Sequence, residues 1–569
     1  MSRQRLKQNI GYLAGGAVAL FFFLAPLCRL VLMSLTTDQG FGFENYGALL
    51  AESRTLRAIG NTIVIAVAST LIAVVLGSVM AFLVAYTDVA HKKWMEVLTL
   101  APFVIPSYII TLSWSTLLSS RGSLNQFLDS AFGFKVNIYS LGGIILVLGI
   151  CNAPVVYLNV LPFLRKIPRD LEWAARVCGR SLWQTVRCID LTQAAPAVAS
   201  GGMLAFLAAI DNFSVPAFLG IPAGIPVLST YIYENVIGFG PSAFRSAAAL
   251  SVLLSAIALG GTALQGLLVR RSSGMESIRE DFSVRVPLGR ARGPVQWVAL
   301  GFLALVNIFP LITTITSSFF PAYGTNTLAN FTLENYRFVF TNRGIRQAFL
   351  NSALLAAATC CICILAGTAL AYRKVRARCP ASRLVEQSAS LTYAIPGIVL
   401  ALAMIFHWTM VPGVYGTIWI LLIAYITRYL VLQIKSSTNA LLALDVSLEE
   451  AAALFGSSRL RAWRQIILPL TLRPILSGTF LIFMQSLTEL TLSSMLAAAG
   501  TKTIGLSIFS LQQGGDYQRA AAVSAVVIGA VALVYGLSAL IPLLLKLKKR
   551  TRKPSPARPA SPMAPARAL

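Results

Sequence analysis

Few side chains in this sequence are spaced for covalent chemistry. Its two histidines stand apart, His91 in a polar connection and His407 inside an apolar run, where a lone imidazole is ordinarily packed. Cys360, Cys361 and Cys363 are close enough to suggest a metal site. They lie in an apolar stretch with no partnering histidine, so they read as small hydrophobes. No Ser/His/Asp arrangement and no carboxylate pair suited to acid–base work stands out, and the phosphate-cradling pattern G-x-x-x-x-G-K-[ST] is missing. No cofactor is expected. What remains is Asp211-Asn212 and Thr488-Glu489, polar pairs inside otherwise apolar runs, where burial is costly. A carboxylate so placed either faces a translocation path or its gate and attracts a cation, or lies near an outer helix end or hydrogen-bonds a neighbouring helix. Asn152 has a similar, weaker claim.

A second set of residues is informative because it occurs twice. LEWAARVCGRSLWQTVRCIDL begins at Leu171 and LEEAAALFGSSRLRAWRQIILP at Leu448. Without a gap, Glu172 falls on Glu449, Ala174 and Ala175 on Ala451 and Ala452, and Gly179 on Gly456. The glutamates and alanines suit the first turns of a helix, and glycine suits a left-handed stop. A second amphipathic helix should follow, so each segment is expected to fold as a short elbow. Such an elbow could pass force from a soluble partner to the segments beside it.

The elements that position these residues follow from composition. Hydrophobic residues make up 56% and charged residues 12%, against roughly 25% charged in soluble domains. Apolar windows long enough to cross a bilayer recur without period-two alternation, which selects spanning helices over barrel strands. About twelve are expected, near 12–34, 60–86, 95–118, 140–162, 196–219 and 244–269, then 295–319, 349–372, 388–409, 413–434, 473–497 and 519–545. Pro106 and Pro396 should bend their spans. The net charge of +26 is not read as a nucleic-acid signal, because basic clusters such as Lys92-Lys93, Arg270-Arg271 and Arg373-Lys374 gather on one predicted side. With Arg3, Arg5 and Lys7 before an uncleaved first span, that rule puts both termini and both elbows in the cytoplasm.

The duplication covers nearly the whole chain. Phe43-Glu44-Asn45-Tyr46 answers Leu333-Glu334-Asn335-Tyr336, Asn61-Thr62 answers Asn351-Ser352, Gly77 answers Gly367, and Ile105-Pro106 answers Ile395-Pro396. The expected organisation is a first half at 1–269 with its elbow at about 165–195, and a hydrophilic linker at 270–293. A second half at 294–546 with its elbow at about 436–472 follows, then a basic Pro/Ala-rich tail at 547–569 expected to be disordered. An even number of helices per half keeps the two copies parallel.

The pattern E-A-A, three residues, G, nine residues, I-x-L-P resembles the signature of membrane subunits of ATP-binding-cassette (ABC) importers. Glu450, Ala451, Ala452, Gly456, Ile466, Leu468 and Pro469 satisfy it. The first copy departs at Trp173 and Thr192, which puts in question whether both elbows grip a partner equally. The chain is similar to the two-halves-in-one-chain permeases of the bacterial iron(III) branch. That resemblance implies an all-α fold of two tandem six-helix bundles, of the type I importer kind, in a bacterial inner membrane. It also implies a cytoplasmic ABC ATPase homodimer docked on the elbows and an extracytoplasmic solute-binding protein. Iron(III) is the implied cargo, with 2-aminoethylphosphonate, thiamine and polyamine as alternatives. An ion-coupled secondary transporter would instead need Asp211 and Glu489 as coupling residues and would have no use for paired elbows.

Overall fold

The computed structural model describes residues 15–120, 122–237, 241–271, 280–322 and 328–551. The basic residues before the first span, part of the linker and most of the basic tail lie outside them. Among the described residues, ten helices are long and apolar enough to cross a membrane: Gly15–Leu35, Ser53–Tyr86, Leu141–Lys166, Leu182–Asp211, Ala243–Leu267, Gly289–Ser317, Arg343–Val375, Ile418–Leu442, Leu460–Leu487 and Tyr517–Gly536. Two helix pairs are sharply bent, by 103° between Lys92–Val104 and Ser107–Leu117 and by 117° between Pro380–Ala394 and Gly397–Trp408. Counting each pair as one span brings the number to twelve.

The bends fall on Ile105-Pro106 and Ile395-Pro396, as the prolines foretold, but they are breaks rather than kinks. Ile105 and Ile395 are extended, as the residue before proline tends to be. The expected bent spans 95–118 and 388–409 are thus helix–corner–helix units, bent further than a proline kink alone. A second correction concerns 196–219 and 473–497. Those helices stop at Asp211 and Leu487, and they begin earlier than expected, at Leu182 and Leu460.

The duplicated sequence marks carry duplicated contacts. Asn45 donates to the Ser34 and Thr36 carbonyls at 2.9 Å, and Asn335 to those of Ser318 and Phe320 at 2.9 and 3.0 Å. Thr62 Oγ1 accepts from the Leu228 amide and Ser352 Oγ from the Ile504 amide, each at 2.9 Å. A Cβ on Gly77 would lie 2.6 Å from the Ala153 carbonyl, and one on Gly367 would lie 2.8 Å from Gln433 Cγ. Both glycines thus permit the close crossing of Ser53–Tyr86 with Leu141–Lys166 and of Arg343–Val375 with Ile418–Leu442.

The halves also exchange helices. Gly15–Leu35 packs on Gly397–Trp408 of the second half, and Gly289–Ser317 packs on Lys92–Val104 and Ser107–Leu117 of the first. Arg29 donates to the Phe406 and His407 carbonyls at 3.4 Å, and Thr314 meets Ser113 Oγ at 2.8 Å. A buried core runs continuously through both halves, including Phe213, Phe218 and Phe509 at the seam.

Candidate functional site

The two elbows are near copies. Helices Arg169–Val177 and Ser447–Leu454 each end in a left-handed glycine, Gly179 at φ 85° and Gly456 at φ 75°. Gly179 and Arg180 donate to the Arg176 and Ala175 carbonyls, and Gly456 and Ser457 to those of Ala453 and Ala452, all within 3.1 Å. This is the paired stop that closes a helix end. Ala452 is buried beneath its helix, whereas Ala174 and Ala451 face out.

The next helix does not form a separate element, contrary to the sequence expectation. Leu182–Thr185 and Arg459–Ala462 each pass through one π-helical turn, Val186–Asp190 and Trp463–Ile467, into the long helices that follow. Pro469 accounts for the second turn: it has no amide to give the carbonyl four residues back, so the ladder shifts register. At the matching position the Thr192 hydroxyl donates to the Arg187 carbonyl at 3.5 Å. Each elbow is therefore continuous with a long helix.

One glutamate in each elbow is held by an arginine. Glu172 is buried against Arg285, and Glu449 meets Arg376 at 2.5 Å. Glu450 is exposed, and the residue in its place in the first copy, Trp173, lies under the Arg169 guanidinium at 5.3 Å. The tips are bare and apolar: Val177 and Leu454 are 88% exposed and Phe455 92%.

Far from the elbows, the second set of polar residues meets at the seam. A cavity of about 330 Å³ is lined by Asn152, Asp211, Asn212, Tyr393, Arg428 and Glu489, among others. Asp211 pairs with Arg428 at 2.6 Å and accepts the Gly397 amide at 2.7 Å. Asn212 and Glu489 occupy corresponding places and do the same work. Asn212 Oδ1 accepts the Val215 amide and Glu489 Oε1 the Leu492 amide, each at 2.9 Å, restarting the chain after the broken helix. Glu489 also accepts from the Tyr429 hydroxyl. Asn152 is buried on the cavity wall, its Nδ2 without a hydrogen-bond partner among the described residues.

Arg428, Tyr429, Arg285 and Arg376 were missed by sequence reasoning. Arg428 had a usable signal, a cation in the middle of an apolar run, which is as costly as the acids that were singled out. Arg285 had none, since a basic residue in a polar linker is ordinary.

The family model described as a binding-protein-dependent transport system inner membrane component matches residues 73–274 and again 363–550. The chain belongs to that family. It carries both permease copies in one polypeptide and is a transport subunit of an ABC importer, not an enzyme. The ferric transport system permease FbpB of Actinobacillus pleuropneumoniae is 25% identical over 532 residues, 91% of this chain and 76% of that one. A second ferric transport permease, from Haemophilus influenzae, is 24% identical over 506 residues, 87% of this chain and 92% of its own. A putative 2-aminoethylphosphonate permease, PhnU of Salmonella typhimurium, is 27% identical over 38% of this chain and 77% of its own. The fused permease is thus a multi-pass inner-membrane protein with an all-helical fold.

Proposed function

We propose that this permease is the whole membrane-embedded part of an ATP-driven importer of iron(III), with halves at 1–269 and 294–546 moved by one ATPase homodimer. The observation that carries the reading is the pair of elbows. Each has a glycine stop, a clamped glutamate, an apolar tip left bare and an unbroken connection into a long helix. Two like seats on one chain suit a partner with two like clefts. Closure of that partner would draw the long helices together, and those helices end at Asp211 and Leu487 beside the seam cavity.

In this reading the elbows and both termini face the cytoplasm, and a solute-binding protein delivers cargo at the opposite face. Iron(III) is supported by the ferric transport permeases that are similar along most of the chain. The cavity charge is consistent with it, since Asp211 and Glu489 outnumber Arg428. The 2-aminoethylphosphonate relative matches only 38% of the chain, and an anionic cargo would find Arg428 already engaged by Asp211.

Proteoliposomes holding the permease and its ATPase, with the binding protein outside, test the proposal. ATP enclosed alone should drive uptake of radiolabelled iron(III) and not of 2-aminoethylphosphonate. Uptake driven by an ion gradient without ATP would overturn the importer reading, and phosphonate uptake would overturn the cargo.

A further inference from the structure

The linker between the halves does more than join them. It runs along the base of the first elbow: the Asp281 amide donates to the Arg165 carbonyl at 2.7 Å, and the Arg285 and Val286 amides both donate to the Tyr86 carbonyl at 2.9 Å. The Leu288 amide reaches Asp88 Oδ1 at 3.0 Å, and Arg169 donates to Ser283 Oγ at 2.7 Å. Arg285 is the buried charged residue among the described residues of this strap, its side chain 2% exposed. Its guanidinium meets Glu172, stands 3.8 Å from Asp190 and 3.6 Å from Asp281, and lies over the Tyr86 ring at 4.7 Å.

Comparison with the second elbow shows what this arginine replaces. There Arg376, at the end of Arg343–Val375, binds Glu449 and donates from Nη2 to the Leu441 and Leu444 carbonyls at 3.3 and 3.2 Å. By the spacing that relates Asn61 to Asn351 and Gly77 to Gly367, the counterpart of Arg376 is Tyr86. By the spacing that relates the elbows, the counterparts of Leu441, Leu444 and Glu449 are Leu164, Ile167 and Glu172. Those three acceptors are served in the first half by two residues together. The Tyr86 hydroxyl reaches the Leu164 carbonyl at 3.5 Å, while Arg285 takes the Ile167 carbonyl at 2.8 Å and Glu172. The Tyr86 hydroxyl and Arg285 Nη1 lie 3.2 Å apart, so the pair together serves the acceptors that one guanidinium serves in the second half.

We infer that Arg285 is a positioning residue of the first elbow, the linker supplying from elsewhere in the same chain the cation that the second half carries on its own helix as Arg376. The first elbow is thereby tied to Gly289–Ser317, the helix that begins just after the strap and packs on the first half. The two elbows are alike in shape but differently anchored. Without Arg285, Glu172 and the 1% exposed Asp190 become buried carboxylates with no cation between them, an arrangement that is strongly unfavourable.

The functional consequence rests on the reading of the elbows as ATPase seats, so the experiment has two readouts. In the full chain, Arg285→Ala should speed hydrogen exchange in 169–190 by about tenfold or more, local opening being what such exchange measures. With the ATPase present, it should also raise the ATP spent per cargo carried by several-fold. Tyr86→Arg in the Arg285→Ala background should restore both, because it rebuilds the second half's arrangement. Exchange and coupling unchanged in Arg285→Ala, or no rescue by the double variant, would overturn the inference. If Arg285→Ala fails to accumulate, recovery of the protein in Tyr86→Arg/Arg285→Ala supports the inference and its continued loss overturns it. Exchange that opens and is rescued while coupling never changes would leave the anchor standing and fault the ATPase-seat reading.

Discussion

Arg428, from the second half, lies 2.6 Å from Asp211 of the first, and the same carboxylate accepts the amide of Gly397 at the corner after Pro396. One carboxylate therefore ties the end of a long helix from one half to two elements of the other. Removing it leaves a cation that is 9% exposed without its partner. Asp211→Ala should cost about 2–3 kcal/mol, below the usual 3–5 for a broken buried pair because the Asp211 side is 39% exposed. Thermal unfolding in detergent reads this. A double-mutant cycle with Arg428→Gln should show strong coupling between the two sites, and additive effects would refute the pairing.

The elbow glycines should tolerate only residues that accept a left-handed backbone. Gly456→Val should cost roughly 1–2 kcal/mol locally and uncouple ATP hydrolysis from uptake, while Gly456→Asn should retain most coupling. Equal transport by both variants would mean the turn is not strained.

Phe455 is almost wholly solvated in the isolated chain. Phe455→Ser should leave folding intact and weaken ATPase binding by roughly 30-fold, the value of one buried aromatic anchor. Co-purification and titration in nanodiscs measure it.

Asp281 lies in the strap outside the spanning helices. Burial opposes its ionisation, but hydrogen bonds from the Ser283 amide and hydroxyl, then the Arg285 and Arg169 charges, hold it below the usual carboxylate range. A depressed folded-state pKa contributes stability above the unfolded value of about 3.9, lost as pH falls through the folded value. Hydrogen exchange in 280–288 should therefore be unaffected by this group between pH 5 and 8 and rise only in stronger acid. Asp281→Asn should remove that acid-dependent step.

Breaking the corner prolines tests the seam from the other side. Pro396→Ala lifts the restriction that keeps Ile395 extended, so the helices on either side can drift toward one continuous span. Uptake should fall several-fold as Gly397 leaves Asp211, and Asp211→Ala should cost less in that background than in the native chain.

Local properties of the chain were readable before any coordinates. Apolar length announced the spans, proline announced the corners, and glycine after E-A-A announced the elbow stops, because each depends on a residue and its near neighbours. The repeat itself was visible for the same reason, as two stretches obeying one local pattern. Even the polar pairs at Asp211 and Glu489 were visible as groups too costly to place idly.

Partners were another matter. Nothing in the sequence joins Asp211 to Arg428, or Glu172 to an arginine in the linker, since those contacts close across 217 and 113 residues. The exchange of first helices between halves, the corners exceeding 100° and the fusion of each elbow to a long helix are likewise products of packing. A side chain's type is set by the gene, but what it meets is decided only when distant surfaces come together and a buried charge must find its counter-charge.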